Sequence, residues 1–371
     1  MTQSSQSSGR SEAGAHNGTD AGSHAGRSRP AVLPQTPPTL ATVADEAGVS
    51  RQTVSNALNN PELLRPETLE RVQSVIDRLG YSPNRAARQL RTRSSHLFGL
   101  RFEAAEEGTS NALMDRFLHS LVEAASTTGH HVLLFSGDPE DPLDGYDDLL
   151  RSTAVDAFVV TDTYAGTPQA GFLQDRGAPF VAFGRPWDDS LADHAWIDVD
   201  GAHGARIATE HLLAQGHERI AWLGWEKTSR IGQDRRSGWQ DAMHDAGQDT
   251  ARIAVRTSDN VDAARMEAHK LLNDTSVTGF VCASDTLAIG VLHALAERNL
   301  RPGADVGVVG FDDSLAAQVT WPGLTSVRQP LEQVAEELVS ILHQVLAHKP
   351  LAERGRMLEP TLVVRRSSQR S

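Results

Sequence analysis

Arg51, Gln52, Thr53, Ser55 and Asn56 crowd into a single stretch of the segment Thr39–Asn59, which reads TLATVADEAGVSRQTVSNALN. Side chains of these types read base-pair edges: Gln and Asn each make paired hydrogen bonds to adenine, and Arg prefers guanine. A second set of polar residues ends three strand-like runs much later. These are Asp200 in Ile197-Asp198-Val199-Asp200-Gly201, Ser284 in Val281-Cys282-Ala283-Ser284-Asp285-Thr286, and Asp312 in Val308-Val309-Gly310-Phe311-Asp312-Asp313-Ser314. A carboxylate accepts two hydrogen bonds and so suits vicinal hydroxyls. Trp187 follows Phe183-Gly184-Arg185-Pro186, and Trp225 follows Ala221-Trp222-Leu223-Gly224. Each indole could stack on the apolar face of a sugar ring or pack at a domain edge.

The elements that must hold the first set are short helices. Val43, Ala44 and Ala47 give one apolar face, Gly48 breaks the helix, and Ser50 is an N-cap for a second helix with Val54, Ala57 and Leu58 inward. A helix, a glycine-containing turn and a helix at this spacing form a helix-turn-helix, whose second helix can enter the major groove. A third helix over Pro66–Leu79 supplies Leu69, Val72, Val75, Ile76 and Leu79 at helical spacing, and Gly80 ends it. Tyr81-Ser82-Pro83 is extended, and Asn84 caps a last short helix, Arg85-Ala86-Ala87-Arg88-Gln89-Leu90.

The second set belongs to an α/β region. Apolar runs at Leu97–Phe102, His131–Phe135, Ala157–Val160, Phe180–Phe183, Ile220–Leu223, Phe280–Ala283 and Val306–Gly310 alternate with amphipathic helices. That alternation implies βαβ units and a parallel sheet. Roughly 270 residues is too many for one comfortable core, so two α/β subdomains are expected. Residues 1–38, low in apolar surface and ending in Pro34, Pro37 and Pro38, are expected to be a disordered tail.

Charge is divided along the chain. The overall balance is −13, yet residues 39–95 carry eight arginines against six carboxylates, so the acid falls in 96–371. DNA would be attracted to the first part and repelled by the rest. A single cysteine, Cys282, excludes a disulfide framework and a Cys-based zinc site, and the 15 histidines show no metal-ligand spacing. Residues 1–35 lack the apolar run of a secretory signal, and no apolar run is long enough to span a bilayer, which fits a cytoplasmic, nucleoid-associated protein. No nucleophile elbow, phosphate loop or dinucleotide fingerprint appears, so neither an enzyme nor a bound cofactor is expected.

Residues 39–100, with VADEAGVSRQTVSNALN, then YSPNRAARQL, then a strand, resemble the lactose-repressor (LacI/GalR) family. The resemblance implies an all-α helix-turn-helix domain over 39–83, a hinge helix and linker over 84–95, and an effector-binding and dimerisation domain over 96–366. That last domain resembles periplasmic sugar-binding proteins, with two doubly wound subdomains and three chain crossings. The first subdomain is expected over about 96–212 and 331–348, the second over about 213–330 and 349–366. The DNA-contacting set implied is Thr39, Ser50, Arg51, Gln52, Thr53, Ser55, Asn56, Asn59, Tyr81, Asn84, Arg85, Ala87, Arg88 and Leu90. Leu90 matches the family's lever, which wedges into the central base step from the minor groove. Asn56 stands where many members have Arg or His.

The resemblance further implies that Asp312 and Arg235, in IGQDRRSGW, are the principal effector contacts. Ser284 stands where a sugar-binding Asn is frequent, with Asp285 expected to cap the following helix. Asp200 is a contact or a helix start. The region Arg256–Val261 lacks an aromatic often present in the family. The expected protein is a regulator, a carbohydrate-gene repressor by preference, that binds a palindromic operator in double-stranded DNA as a homodimer and is released by a small sugar. The alternatives are a co-repressor-dependent regulator of another pathway and a solute-binding protein. The helix with Leu338, Ile341, Leu342, Val345 and Leu346 is either core or dimer surface, and no tetramerising heptads follow Thr361–Val364.

Overall fold

The computed structural model describes residues 38–82, 94–102 and 112–370, apart from 139, 162, 164–165, 188–191 and 275. The expected tail up to residue 37 and the expected hinge helix, with Asn84, Arg85, Ala87, Arg88 and Leu90, lie outside the described residues. The chain forms two compact units that divide after Asn84.

The first unit is helical. Helix α1 (Leu40–Ala47) starts at a reciprocal capping box between Thr39 and Thr42 and stops at Gly48, whose φ of +63° is the left-handed conformation that glycine adopts without steric cost. Helix α2 (Arg51–Asn59) starts at Ser50, whose hydroxyl accepts the Thr53 N–H at 3.1 Å. Helix α3 (Pro66–Leu79) has proline at its first position and left-handed Gly80 after its last. Val43, Ala44, Ala47, Val54, Ala57, Val72, Val75 and Ile76 bury into one small core, with Leu58, Leu69, Leu79 and Tyr81 packed on it.

The second unit holds two six-stranded sheets. The first contains β1 (Leu97–Arg101), β2 (His131–Phe135), β3 (Ala157–Val160), β4 (Phe180–Phe183), β5 (Trp196–Val199) and β11 (Gly355–Leu358), in the order β2-β1-β3-β4-β5-β11. The second contains β6 (Ile220–Gly224), β7 (Ala254–Arg256), β8 (Gly279–Cys282), β9 (Gly307–Phe311), β10 (Thr325–Arg328) and β12 (Thr361–Val363), in the order β7-β6-β8-β9-β10-β12. Every pairing is parallel except that of β10 with β12. Strands β3, β6, β8 and β9 are buried throughout, because helices cover both faces.

Helices α4 (Ala112–Thr127), α5 (Tyr146–Arg151) and α6 (Pro168–Asp175) pack with the first sheet, and α7 (Gly201–Ala214), α8 (Arg230–Asp245), α9 (Val261–Asp274), α10 (Asp285–Glu297) and α11 (Leu315–Val319) with the second. Helix α12 (Leu331–Leu346) returns to the first. Its Leu338, Ile341 and Leu342 are buried in that core, with Val345 and Leu346 packed against it, so this apolar face is core.

The chain crosses between the lobes three times, but not where the sequence suggested. The first crossing follows β5. Ala205, Ala208 and Leu212 of α7 bury in the second core, so residues 201–212 join the second lobe. Residues 355–358, expected in the second lobe, form β11 and pair with β5 of the first, Met357 opposite Asp198. In both places the segment found its partner in the other lobe, the helix by its apolar face and the strand by pairing with β5, which periodicity cannot specify.

Candidate functional site

On the helical unit, α2 presents Arg51, Gln52 and Asn59 exposed, with Thr53, Ser55 and Asn56 partly so. The Gln52 Nε2 donates to Asn56 Oδ1 at 3.0 Å, one turn along the helix, and the Asn59 Nδ2 donates to the Ser55 carbonyl at 2.7 Å. The Gln52 and Asn56 side-chain amides are thus oriented by each other. Thr39 and Ser50 are exposed N-caps. Tyr81 packs on the helical core, and burial pushes its phenol pKa up.

In the α/β unit the strand ends of both sheets meet around a cavity of about 150 Å³. Open sheets bind ligands outside the carboxyl ends of their strands, and this cavity occupies that position. Phe183, Arg185, Trp187 and Asp198 line it from the first lobe, and Asp234, Arg235 and Phe311 from the second. A larger cavity of about 600 Å³ lies between α4 and α12, lined by Glu123, Glu332 and Glu336 and by no Phe, Tyr or Trp side chain.

Arg235 is the most deeply placed charge. Its Nη1 donates to the Ala283 carbonyl at 2.5 Å and lies 3.6 Å from Asp312 Oδ1, while its guanidinium covers Phe311 at 3.7 Å from the ring centroid. Burial draws its pKa down and Asp312 opposes this; a guanidinium remains charged regardless. Asp312 also accepts Gln329 Nε2 at 2.7 Å. Burial pushes the Asp312 pKa up, and Arg235 with Gln329 pulls it back. Asp312 borders a further cavity of about 490 Å³ that Arg116, His119 and Gln318 share.

The remaining expected contacts divide. Ser284 sits near this cluster, but its hydroxyl donates to Asp259 Oδ1 at 2.5 Å and accepts the Leu287 N–H, so Ser284, and not Asp285, caps α10. Asp285 is buried instead between Ser326 Oγ and the Ser314 N–H, its pKa raised to about 7 by burial. Asp200 accepts the His203 N–H at 2.8 Å and caps α7, outside the cavity lining. Trp187 lines the cavity with its ring 4.4 Å from the Arg185 guanidinium; Trp225 lies behind Arg235 at 5.1 Å. Both indole N–H groups are buried without a partner, as is Arg235 Nε.

Sequence reasoning passed over Arg185, Asp198, Asp234 and Gln329. The Arg185 Nε donates to Asp198 Oδ2 at 2.5 Å, and its Nη1 and Nη2 donate to Asp234 at 3.3 and 3.2 Å. A signal was present for Asp198: it stands between Ile197 and Val199, and a carboxylate within an apolar strand needs a partner.

A helix-turn-helix and an α/β domain with a cleft at its strand ends define a DNA-binding regulator with a periplasmic-binding-protein-like domain. Residues 39–84 match bacterial regulatory proteins of the lacI family, and residues 209–368 match the periplasmic binding protein-like domain. The transcriptional regulator CelR of Thermobifida fusca is 32% identical over 339 residues, covering 89% of this chain and 98% of that protein. The solved CelR–cellobiose complex is 28% identical with a TM-score of 0.67, covering 89% and 99% of the two chains. The lac repressor dimer bound to operator and an anti-inducer is 25% identical with a TM-score of 0.77, covering 90% and 100%. The chain belongs to the LacI family of bacterial HTH-type transcriptional regulators. These relatives are regulators, not enzymes. Among the described residues no helix is long and apolar enough to cross a membrane.

Proposed function

We propose that this chain represses carbohydrate-utilisation genes, binding a palindromic operator as a homodimer through Arg51, Gln52, Ser55 and Asn56, and that a small neutral sugar in the strand-end cleft releases it. The observation that carries the reading is the wall chemistry of the 150 Å³ cavity, where Phe183, Trp187 and Phe311 alternate with Arg185, Asp198, Asp234 and Arg235. Aromatic faces suit the apolar side of a sugar ring, and carboxylates with guanidinium forks suit its hydroxyls. The unpartnered Trp187 Nε1 and Arg235 Nε, on residues that line the cavity, add donors that hydroxyl oxygens satisfy. Relatives named for sugars, the regulator in the CelR–cellobiose complex and a ribose operon repressor of Halalkalibacterium halodurans, support the same class.

Release follows from linkage: the sugar shifts the lobes towards one arrangement only by its differential affinity, about 1–3 kcal/mol of coupling. Selection of duplexes from a random library by the full-length protein tests the reading, repeated with cellobiose, ribose and glucose. An enriched palindrome whose retention falls with one sugar is the expected result. Tighter retention with sugar would make the effector a co-repressor, and no enrichment under any condition would overturn the regulator reading.

A further inference from the structure

Asp234 immediately precedes Arg235, yet it turns away from the sheet that Arg235 serves. Its carboxylate receives both terminal nitrogens of Arg185. Arg185 in turn is fixed to the first lobe through Asp198 Oδ2, at 2.5 Å from Nε and 3.3 Å from its own backbone N–H, and through the Val199 carbonyl at 3.4 Å. One guanidinium therefore joins the end of β5 to helix α8 across the cleft. The three side chains are only 23, 12 and 16% exposed, well short of the solvated pairs that contribute almost nothing.

Both lobes are shaped around this contact. Gly184, with φ +121°, turns the chain after β4, and a Cβ there would overlap the Thr163 hydroxyl. On the other side a Cβ on Gly238 would overlap the Ala202 carbonyl, so α8 lies directly on the amino end of α7. From there the Ala202 N–H donates to Asp234 at 3.1 Å. The carboxylate is held in place before Arg185 reaches it.

We propose that Asp198–Arg185–Asp234 is a clasp that couples the two lobes, with Arg185 and Asp234 as its positioning residues, and that it restricts the effector to uncharged polyhydroxylated molecules. The proposal rests on the reading of this cleft as the effector site. Two carboxylates, Asp198 and Asp234, face two guanidinium groups, Arg185 and Arg235, around the cavity, so its fixed charges already balance. A sugar phosphate would add uncompensated negative charge and compete with Asp234 for Arg185, prising the lobes apart. A neutral sugar donates its hydroxyls to carboxylate lone pairs that the clasp leaves free, so the clasp persists in the complex.

The test uses full-length protein, wild type, Arg185→Met, Asp234→Asn and the double variant, each checked by circular dichroism for folding. Small-angle X-ray scattering without ligand reports lobe closure, and calorimetry with cellobiose and with glucose 6-phosphate reports affinity. Each single variant is expected to enlarge the radius of gyration and to weaken cellobiose about tenfold, and the double variant to do no more than either. Arg185→Lys, which keeps the charge but loses the fork, should recover closure only in part. Glucose 6-phosphate should not bind the wild type. Unchanged scattering, additive losses, or binding of glucose 6-phosphate with the affinity of cellobiose would overturn the clasp. If Arg185→Met does not fold, the isosteric Asp234→Asn decides by scattering alone. If cellobiose binds no variant, the sugar reading loses support while the scattering still decides the clasp.

Discussion

Asp312 stands 3.6 Å from Nη1 of Arg235 at a backbone φ of +106°, so the carboxylate that neutralises the buried guanidinium does so from a conformation that L-residues rarely adopt. Such a conformation costs about 1–3 kcal/mol and persists where surrounding contacts over-determine it. Here Gln329 and Arg235 fix the carboxylate, and the Asp312 N–H donates to the Val327 carbonyl at 2.7 Å. Replacing Asp312 by Ala strands a buried guanidinium, at a cost of about 3 kcal/mol. The variant is expected to melt lower, to bind its operator still, and to lose the effector response in an anisotropy titration. A full response at wild-type effector concentration would remove Asp312 from the site.

Asp285 gives the fold a pH dependence of known sign. Its folded pKa of about 7 exceeds that of an unfolded Asp, so the folded chain holds this proton more tightly. The contribution to stability is complete below about pH 4 and is lost as pH rises towards 7. Asp285→Asn removes that slope. In urea unfolding, the difference between variant and wild type should move in the variant's favour by on the order of 4 kcal/mol from pH 4 to pH 8, on top of a constant offset. Parallel curves would show that Asp285 does not titrate in this window.

Two glycines in helices should respond in opposite directions. At Gly238 a Cβ meets the Ala202 backbone, which cannot yield, so Gly238→Ala is expected to cost about 2–3 kcal/mol by overpacking. At exposed Gly171 in α6 nothing lies within 4 Å of the added Cβ, so Gly171→Ala should stabilise by about 0.5–1 kcal/mol. Thermal melts of the two proteins check both signs.

On α2, the proposed recognition helix, Gln52 and Asn56 share a hydrogen bond. Alanine at either position should weaken the selected palindrome by about 1–3 kcal/mol and relax preference at the base concerned. The double replacement should cost less than the sum, because each single change already frees its partner. Strict additivity in an anisotropy assay would mean that the two side chains read DNA independently.

The residues between Thr39 and Gly80 were legible by themselves. Their caps, breaks and apolar spacing are local features, and a 42-residue helical unit with few long-range contacts leaves little else to decide. Seven strands could be placed from their apolar runs, whereas Ala254–Arg256 was too short, and Thr325–Arg328 and Gly355–Leu358 too polar, to show. Tertiary structure alone decided which lobe claims α7 and β11, since an apolar face does not name its partner. It decided that Ser284 rather than Asp285 caps α10, because both residue types suit a cap and only the buried hydroxyl of Ser326 shows where the carboxylate goes. It also decided that Arg185 meets Asp234. The two are 49 positions apart, one in the loop after β4 and the other in helix α8, and no local preference couples them; the meeting of the two lobes does.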